Sequence, residues 1–251
     1  MAAQLVQLSS DLGHPGVGPL WLAAKRKCLN LTKKQVEAYM KAKGSKQIFQ
    51  AVQPARGKTV AETLDARWMM DLIQFTNQPV TVARKTFKFI LVCVNVFDRY
   101  LYALPMRSKE PTEVKETLER ILAAALKKPK LISSDQGLEF KGVVSVYLTR
   151  LGIVQKYKDP ADVNGLGVID KAIQSLKQRL AQLATGGGTW ASVLARAVDG
   201  INNTPKTGVL HGAAPKEVRG DASVHFMLLQ DQAKNMQHNA ALTDKRTTAV
   251  E

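Results

Sequence analysis

The order of the apolar segments is the feature that most restricts what this chain can fold into. Three strand-like runs lie close together, at Arg67–Phe75, Thr86–Phe97 and Tyr100–Met106. A short turn joins the second run to the third, so we predict that the three strands form an antiparallel meander. Pro111 then begins a helix that extends to Ala125, because its apolar residues recur at helical spacing.

The segments that follow alternate between strand and helix. We predict strands at Lys130–Ser134 and Ile153–Lys156, and helices at Gly142–Leu151, Gly167–Ala184 and Trp190–Asn202. Strands that are separated by helices run parallel to one another. The order therefore predicts an α/β fold with a mixed five-stranded sheet flanked by helices, and it puts the first strand at the centre of that sheet.

Three aspartates stand at the ends of these elements. Asp71 ends the apolar stretch Trp68-Met69-Met70 of the first strand-like run, Asp135 follows the fourth run, and Asp170 opens the long helix. Each one alone fits a structural role equally well, as a turn former or as an acid in the first turn of a helix. Carboxylate oxygens are the ligands that Mg²⁺ prefers, and in this order the three predict a metal site for phosphoryl transfer on nucleic acid.

The net charge of +15 favours a polyanionic partner, although a solvated basic surface would give the same composition. Residues 1–60 hold ten Lys/Arg against two Asp/Glu, which is +8 of that total. We expect contact with nucleic acid, duplex DNA above all, through two basic patches. The first patch comprises Lys25, Arg26, Lys27, Lys33 and Lys34, and the second comprises Lys171, Lys177 and Arg179.

The cysteine content and the hydropathy bear on the compartment. Cys28 and Cys93 are isolated thiols, which favours a reducing compartment without a disulfide framework. Cys93 lies within an apolar run and is expected in the core. We expect an intracellular protein, with the nucleus favoured and an organelle as the alternative. No apolar stretch approaches about 18 residues, so no membrane span is expected.

We divide the chain into four segments. Residues 1–50 form a basic helical domain, in which Thr32 and Gln35 have the spacing of a capping box. Residues 51–61 are a linker, residues 62–218 form the α/β core, and residues 219–251 are a polar tail. Part of this tail, from Val224 to about Asn239, is predicted to be helical.

Residues 62–218 resemble the catalytic core of retroviral and retrotransposon integrases, which has a ribonuclease H-like fold. Trp68-Met-Met-Asp71 resembles the strand that carries the first acid of this family, and Ser134-Asp135-Gln136-Gly137 resembles the turn that carries the second. Gly167-Val168-Ile169-Asp170 resembles the opening of the helix with the third acid. The downstream residues Asn202, Pro205, His211-Gly212 and Ala214-Pro215 resemble a later segment of the same family.

The resemblance implies that Asp71, Asp135 and Asp170 are catalytic and bind two Mg²⁺ or Mn²⁺ ions. It also implies that Lys177 and Gln174 occupy positions at which the family holds DNA near the site. Because integrases work as dimers or higher oligomers, we expect self-association through the helix Pro111–Ala125, or membership of a larger complex.

The chain departs from the family pattern at two points. Asp170 stands where the family usually has glutamate, whose side chain is longer by one methylene. Residues 13–50 resemble the small helical domain that precedes the core and holds zinc through two histidines and two cysteines. Here His14 and Cys28 are the only candidate ligands, and a structural zinc needs four. We therefore predict no zinc.

Two functions of different classes remain open from the sequence. The first is a Mg²⁺-dependent polynucleotidyl transferase, an integrase of mobile-element type. The second is a domesticated, catalytically inactive integrase-like protein that serves as a structural or nucleic-acid-binding subunit of a larger assembly. A third function, a ribonuclease H-like nuclease, is disfavoured by the helical N-terminal domain.

Overall fold

The structure, a computed structural model, describes residues 2–11, 17–42, 57–159, 165–185 and 187–247. It divides into two compact units, Met1–Pro54 and Ala55–Glu251. Most of the predicted linker and residue His14 lie outside the described residues, as do the last residues of the predicted tail.

Among its described residues, the first unit contains three helices, α1 (Ala2–Asp11), α2 (Val17–Arg26) and α3 (Lys33–Ala42). Their buried apolar side chains form a small core of Leu5, Leu8, Leu20, Ala24, Val36 and Met40. The predicted capping box at the start of α3 is confirmed, because the Thr32 amide donates to Gln35 Oε1 at 2.8 Å and the Gln35 amide donates to Thr32 Oγ1 at 3.3 Å.

The second unit contains the sheet and the remaining helices. Its strands are β1 (Arg67–Gln74), β2 (Val80–Val82), β3 (Lys85–Phe87), β4 (Phe89–Asn95), β5 (Leu101–Met106), β6 (Leu131–Ser134) and β7 (Val154–Tyr157). Its helices are α4 (Pro111–Ala124), α5 (Val143–Arg150), α6 (Gly167–Ala184), α7 (Trp190–Asn202), α8 (Thr207–Leu210) and α9 (Ala222–Thr247).

Strand β1 lies at the centre of a five-stranded sheet of order β5-β4-β1-β6-β7. It pairs antiparallel with β4 and parallel with β6, and β6 in turn pairs parallel with β7. This mixed sheet confirms the predicted α/β fold and the central position of the first strand. The strand that carries Asp71 is therefore held by neighbours on both sides.

Helices cover both faces of this sheet. Met69 and Ile73 of β1 pack on one face with α6, α7 and α9, whereas Trp68 and Met70 pack on the other face with α4 and α5. Because side chains alternate along a strand, Asp71 points to the same face as Met69 and Ile73. That is the face on which α6 lies. Cys93 is fully buried in the opposite layer, as predicted.

The second predicted strand, Thr86–Phe97, is wrong as a single element. Its first part, β3, pairs with β2 in a separate two-stranded hairpin, and only β4 belongs to the main sheet. The partner changes at Lys88, whose amide donates to Met106 O at 3.0 Å. The hairpin turns at Ala83 and Arg84, which both have positive φ (48° and 62°) although neither is glycine.

Helix α9 is longer than predicted and extends the core. It spans Ala222–Thr247, and Val224 and Leu228 are buried in the same apolar layer as α6 and α7. Across the described residues, no helix combines the length and the apolar character that crossing a membrane requires.

Candidate active site

Asp71 and Asp135 lie on adjacent parallel strands. The pairing of β1 with β6 aligns Trp68 with Ile132 and Met69 with Ser133. Continued in the same register, it brings Asp71 level with Asp135, immediately after β6. The sheet thus holds the first two predicted acids side by side, and this follows from the fact that both strands run in the same direction.

The carboxyl group of Asp71 carries the clearest electrostatic sign of a functional site. Its pKa is raised from 3.8 to about 6, chiefly by burial and in smaller part by the nearby negative charges of Asp135, Asp170 and Glu139. A hydrogen bond from the Leu72 amide to Asp71 Oδ1, at 2.7 Å, opposes this shift. The structure therefore brings Asp71 within electrostatic range of three other carboxylates.

Glu139 is an acid of this site that sequence reasoning missed. It lies in a short 3₁₀ turn, Leu138–Phe140, directly after the turn that carries Asp135. The Gly137 amide donates to Asp135 Oδ1 at 3.0 Å, and a Cβ atom at Gly137 would lie 2.7 Å from Glu139 Cδ. A side chain at position 137 would therefore displace the end of the Glu139 side chain. The available signal was an acid four residues after Asp135 with a glycine between them.

Asp170 occupies the first turn of α6, where it is exposed. The buried residues of this helix, Ile169, Leu176 and Leu180, face the sheet, so the exposed side of α6 points away from it. Asp170 still contributes to the raised pKa of Asp71, which puts the third predicted acid in the same electrostatic neighbourhood.

The predicted DNA-contacting residues of α6 lie along its solvent side. Lys171, Gln174 and Lys177 are exposed, and Arg179 is partly buried. Lys171 Nζ donates to Gln174 Oε1 at 2.8 Å, and Arg179 contacts Thr204 Oγ1 at 3.4 Å. Since Lys171 directly follows Asp170, the second basic patch begins beside this acid and extends along the helix away from it.

The first basic patch belongs to the N-terminal unit. Its members Lys25, Arg26, Lys27, Lys33 and Lys34 are all exposed. Lys25 Nζ lies 5.0 Å from the centre of the Trp21 ring, which is a cation–π distance. Cys28, one of the two candidate zinc ligands, is also exposed.

The acids suit a divalent cation by their chemistry. All four groups offer carboxylate oxygen, the donor that hard cations such as Mg²⁺ and Mn²⁺ prefer. Their mutual repulsion, which appears in the raised pKa of Asp71, is what a bound cation would offset. Within the described parts of the chain, however, no three or more acidic, histidine or cysteine side chains are gathered closely enough to hold a metal ion as they stand.

We expect the substitution Asp71→Asn to stabilise the fold above pH 6 when divalent ions are removed with EDTA. Because the folded pKa of Asp71, about 6, lies above its ordinary 3.8, the unfolded chain loses this proton first as the pH rises. The free energy of unfolding therefore decreases as the pH rises from about 3.8 to about 6. Above pH 6 the buried charge of Asp71 destabilises the fold in full. Asparagine avoids that cost, which is on the order of 1–3 kcal/mol.

Urea denaturation at pH 8 and at pH 4.5 measures this effect. The gain in the free energy of unfolding should be largest at pH 8 and small at pH 4.5. Glu116→Gln is the matched control, because Glu116 is exposed on α4, on the opposite face of the sheet. An equal effect of Asp71→Asn at both pH values would contradict the assigned environment.

About half of the chain is similar in sequence to transposon-derived and retroviral proteins. The chain is 31% identical over 138 residues to a transposon-derived protein of Caenorhabditis elegans, and this match covers 54% of the chain. It is also 31% identical over 138 residues to the Gag-Pol polyprotein of Koala retrovirus, over 51% of the chain. No family model matches the chain.

Solved structures point in the same direction. The catalytic core domain of BIV integrase matches with a TM-score of 0.50 and 22% identity, covering 61% of this chain and 93% of that one. In its fold, the core of this chain is like the catalytic core of a retroviral integrase. A simian T-cell lymphotropic virus intasome matches with a TM-score of 0.57 and 16% identity, covering 86% of this chain and 74% of that one. These likenesses confirm the integrase-type, ribonuclease H-like fold predicted from the sequence.

The matches cover only part of the curated relatives. The aligned region spans 47% of the Caenorhabditis elegans protein and 8% of the Koala retrovirus polyprotein. The chain thus corresponds to less than half of the length of each of them.

Proposed function

We propose that this integrase-type chain is a Mg²⁺-dependent polynucleotidyl transferase that cuts and joins DNA. The observation that carries the proposal is the environment of Asp71. Burial of its carboxyl group on the central strand raises its pKa, and the charges of Asp135, Asp170 and Glu139 act in the same direction. A fold gains nothing from this arrangement of like charges, whereas a cation-dependent active site requires it.

Asp71, Asp135 and Asp170 would hold the metal ions. When bound, two Mg²⁺ or Mn²⁺ ions would activate the attacking oxygen and stabilise the leaving oxygen in phosphoryl transfer. The chain itself supplies rigidity, because Asp71 lies on a strand paired on both sides and Asp135 is fixed by the Gly137 amide. Asp170 comes from an exposed helical turn, so its side chain has the freedom to adjust to a ligand.

The exposed side of α6 would hold the DNA. Lys171, Lys177 and Arg179 supply positive charge for phosphates, and Gln174 supplies a neutral donor beside Lys171. Such contacts position a duplex without reading its sequence. By its likeness to a chain of an intasome, we also propose that the protein self-associates or joins a larger complex on DNA.

A second function is favoured by one observation. Among the described residues no group of acids is gathered as tightly as a metal ion requires, and Asp170 is shorter than the usual glutamate. These facts support a domesticated, catalytically inactive protein that keeps the fold and the basic surface. It would serve as a structural or nucleic-acid-binding subunit of a larger assembly.

Two measurements on the full chain distinguish these functions. The first is the nicking of supercoiled plasmid, and the joining of a short duplex into it, with Mg²⁺ or Mn²⁺. The second is the binding of Mn²⁺, followed by electron paramagnetic resonance in the absence of DNA. The active function predicts metal-dependent products and bound Mn²⁺, both of which should be lost in Asp135→Asn.

Glu116→Gln serves as the matched control, since it removes one negative charge from the opposite face of the sheet. It should retain both products and Mn²⁺ binding. Plasmid and duplex left unchanged by the wild-type chain, together with free Mn²⁺, would overturn the proposal and favour the inactive subunit.

A further inference from the structure

Helix α9 is fixed in one rotational orientation about its axis. On its inner side Val224, Leu228 and Gln232 are buried at 6%, 1% and 6% exposure. Gln232 Oε1 accepts a hydrogen bond from the Ala61 amide at 3.0 Å. About two turns further along the helix, Asn239 accepts a hydrogen bond from the Lys58 amide at 2.7 Å and donates one to Lys58 O at 2.8 Å. The opposite side of the helix must therefore face outward.

That outward side carries a stripe of apolar residues. Phe226 is 62% exposed, Leu229 is 37% exposed and Met236 is 47% exposed. Ala233 and Ala240 are exposed as well and lie on the same side. Single exposed apolar residues are common on protein surfaces. A contiguous row of them on a helix indicates a surface that binds another molecule. We call these five residues the outer stripe.

The spacing of the outer stripe is that of helices that pair with each other. Its members recur at alternating intervals of three and four residues, the a and d positions of two heptads. From Phe226 to Ala240 the stripe is about 21 Å long at the usual helical rise. Apolar residues at this spacing line up along one side of a helix, where a second helix can pack against them.

The charges along α9 indicate which kind of partner can bind the outer stripe. Between Ala222 and Leu242 the only Asp, Glu, Lys or Arg residues are Asp231 and Lys234, in a chain of net charge +15. On α9 the stripe is flanked by Gln230 and Gln237 on one side and by Gln232 and Asn239 on the other, all of them uncharged. Nucleic acid and anionic membranes bind through lysines and arginines, which this face lacks. A second copy of the same face would meet it without repulsion.

We propose that the outer stripe is a self-association surface, on which α9 of a second copy of this chain packs antiparallel. A two-fold axis near Ala233 would set each Phe226 against the partner's Ala240, so that a large side chain meets a small one. Ala233 would meet the same residue of the other copy at the point where the helices approach most closely. A symmetric contact of this kind uses one patch on both copies.

The inference rests on the self-association proposed above and names a surface for it besides the helix Pro111–Ala125, but it does not depend on whether the carboxylates are catalytic. It is tested by sedimentation of the full chain carrying Leu229→Glu and Met236→Glu together. Both residues are exposed, so the fold should be unchanged, and charges buried in the pair would oppose association. We expect the average mass of the associated species to fall about twofold at equal concentration, by loss of one partner from each pair.

The control is His238→Glu, which adds a charge to an exposed position of the same helix away from the stripe. It should sediment like the wild-type chain. An unchanged mass in the Leu229→Glu, Met236→Glu chain would overturn the proposal. So would a loss of DNA affinity with association intact, which would assign the stripe to nucleic acid.

Disulfide trapping tests the orientation, in a Cys28→Ser background because Cys28 is exposed. In an antiparallel pair Ala233→Cys should form a cross-linked dimer on mild oxidation, whereas Ala240→Cys should not. Cross-linking of both variants would overturn the antiparallel arrangement. The absence of a dimer with Ala233→Cys would overturn the surface itself.

Discussion

Replacing Arg219 by methionine is expected to lower the free energy of unfolding by about 3–5 kcal/mol, the usual cost of removing one partner from a buried ion pair. The Arg219 guanidinium donates to both oxygens of Asp65, at 2.9 and 2.7 Å. Its Nε also lies 3.4 Å from Asp98 Oδ2. Asp65 and Asp98 are 2% and 0% exposed, so neither carboxylate can turn to water when the guanidinium is lost.

The carboxyl group of Asp98 lies in an environment that disfavours its charged form. Burial raises its pKa to about 7 even though Arg219 acts in the opposite direction, and its Oδ2 accepts no hydrogen bond. Asp65 is better satisfied, since Trp68 Nε1 and Asn95 Nδ2 donate to it at 3.3 and 2.9 Å. Arg219 therefore ties the segment before β1 to the segment before α9, two parts that are far apart in sequence.

Urea denaturation of Arg219→Met would measure this contribution. Adding Asp65→Asn to the variant should recover part of the loss, because one of the stranded charges is then removed. Arg196→Met, at an exposed position of α7, is the matched control and should change stability by no more than about 0.5 kcal/mol. A loss below about 1 kcal/mol in Arg219→Met would contradict the role assigned to the cluster.

The sequence was sufficient to predict the positions of Asp71 and Asp135 because local pattern and topology agree there. The apolar run Trp68-Met69-Met70 forms a strand that is buried on both faces, and the parallel pairing of β1 with β6 brings Asp71 level with Asp135. Helical spacing likewise predicted the face of α6 that carries Lys171 and Lys177. In each case the apolar residues that decide the structure are close in sequence.

Features that depend on unusual turns or distant contacts escaped prediction. The β2–β3 hairpin turns at Ala83 and Arg84 with positive φ, where the recognised signal would be Asn-Gly. Glu139 reaches the acids through a 3₁₀ turn that has no periodic pattern. The ion pair of Arg219 with Asp65 joins residues 154 positions apart, and no local rule links such loop residues.

The affinity of the chain for duplex DNA is expected to fall by about 10³- to 10⁴-fold between roughly 50 and 200 mM salt. The two basic patches offer exposed cations in both units, and about six to eight neutralised phosphates would give a slope of that size. Because contacts of this kind touch the backbone, little dependence on base sequence is expected. Fluorescence anisotropy of a labelled duplex at several salt concentrations measures the slope.

Lys177→Glu tests the patch beside the acids. It replaces an exposed cation of α6 by an anion, so it should weaken binding and make the salt slope shallower by about one phosphate contact or more. Lys128→Glu makes the same charge change before β6, at the end of that strand opposite to Asp135, and should affect the slope less. Asp71→Asn should leave binding intact, since an acid does not attract phosphate. If affinity proved independent of salt, or if no duplex bound at low salt, the net charge of +15 would have to serve a protein or lipid partner instead.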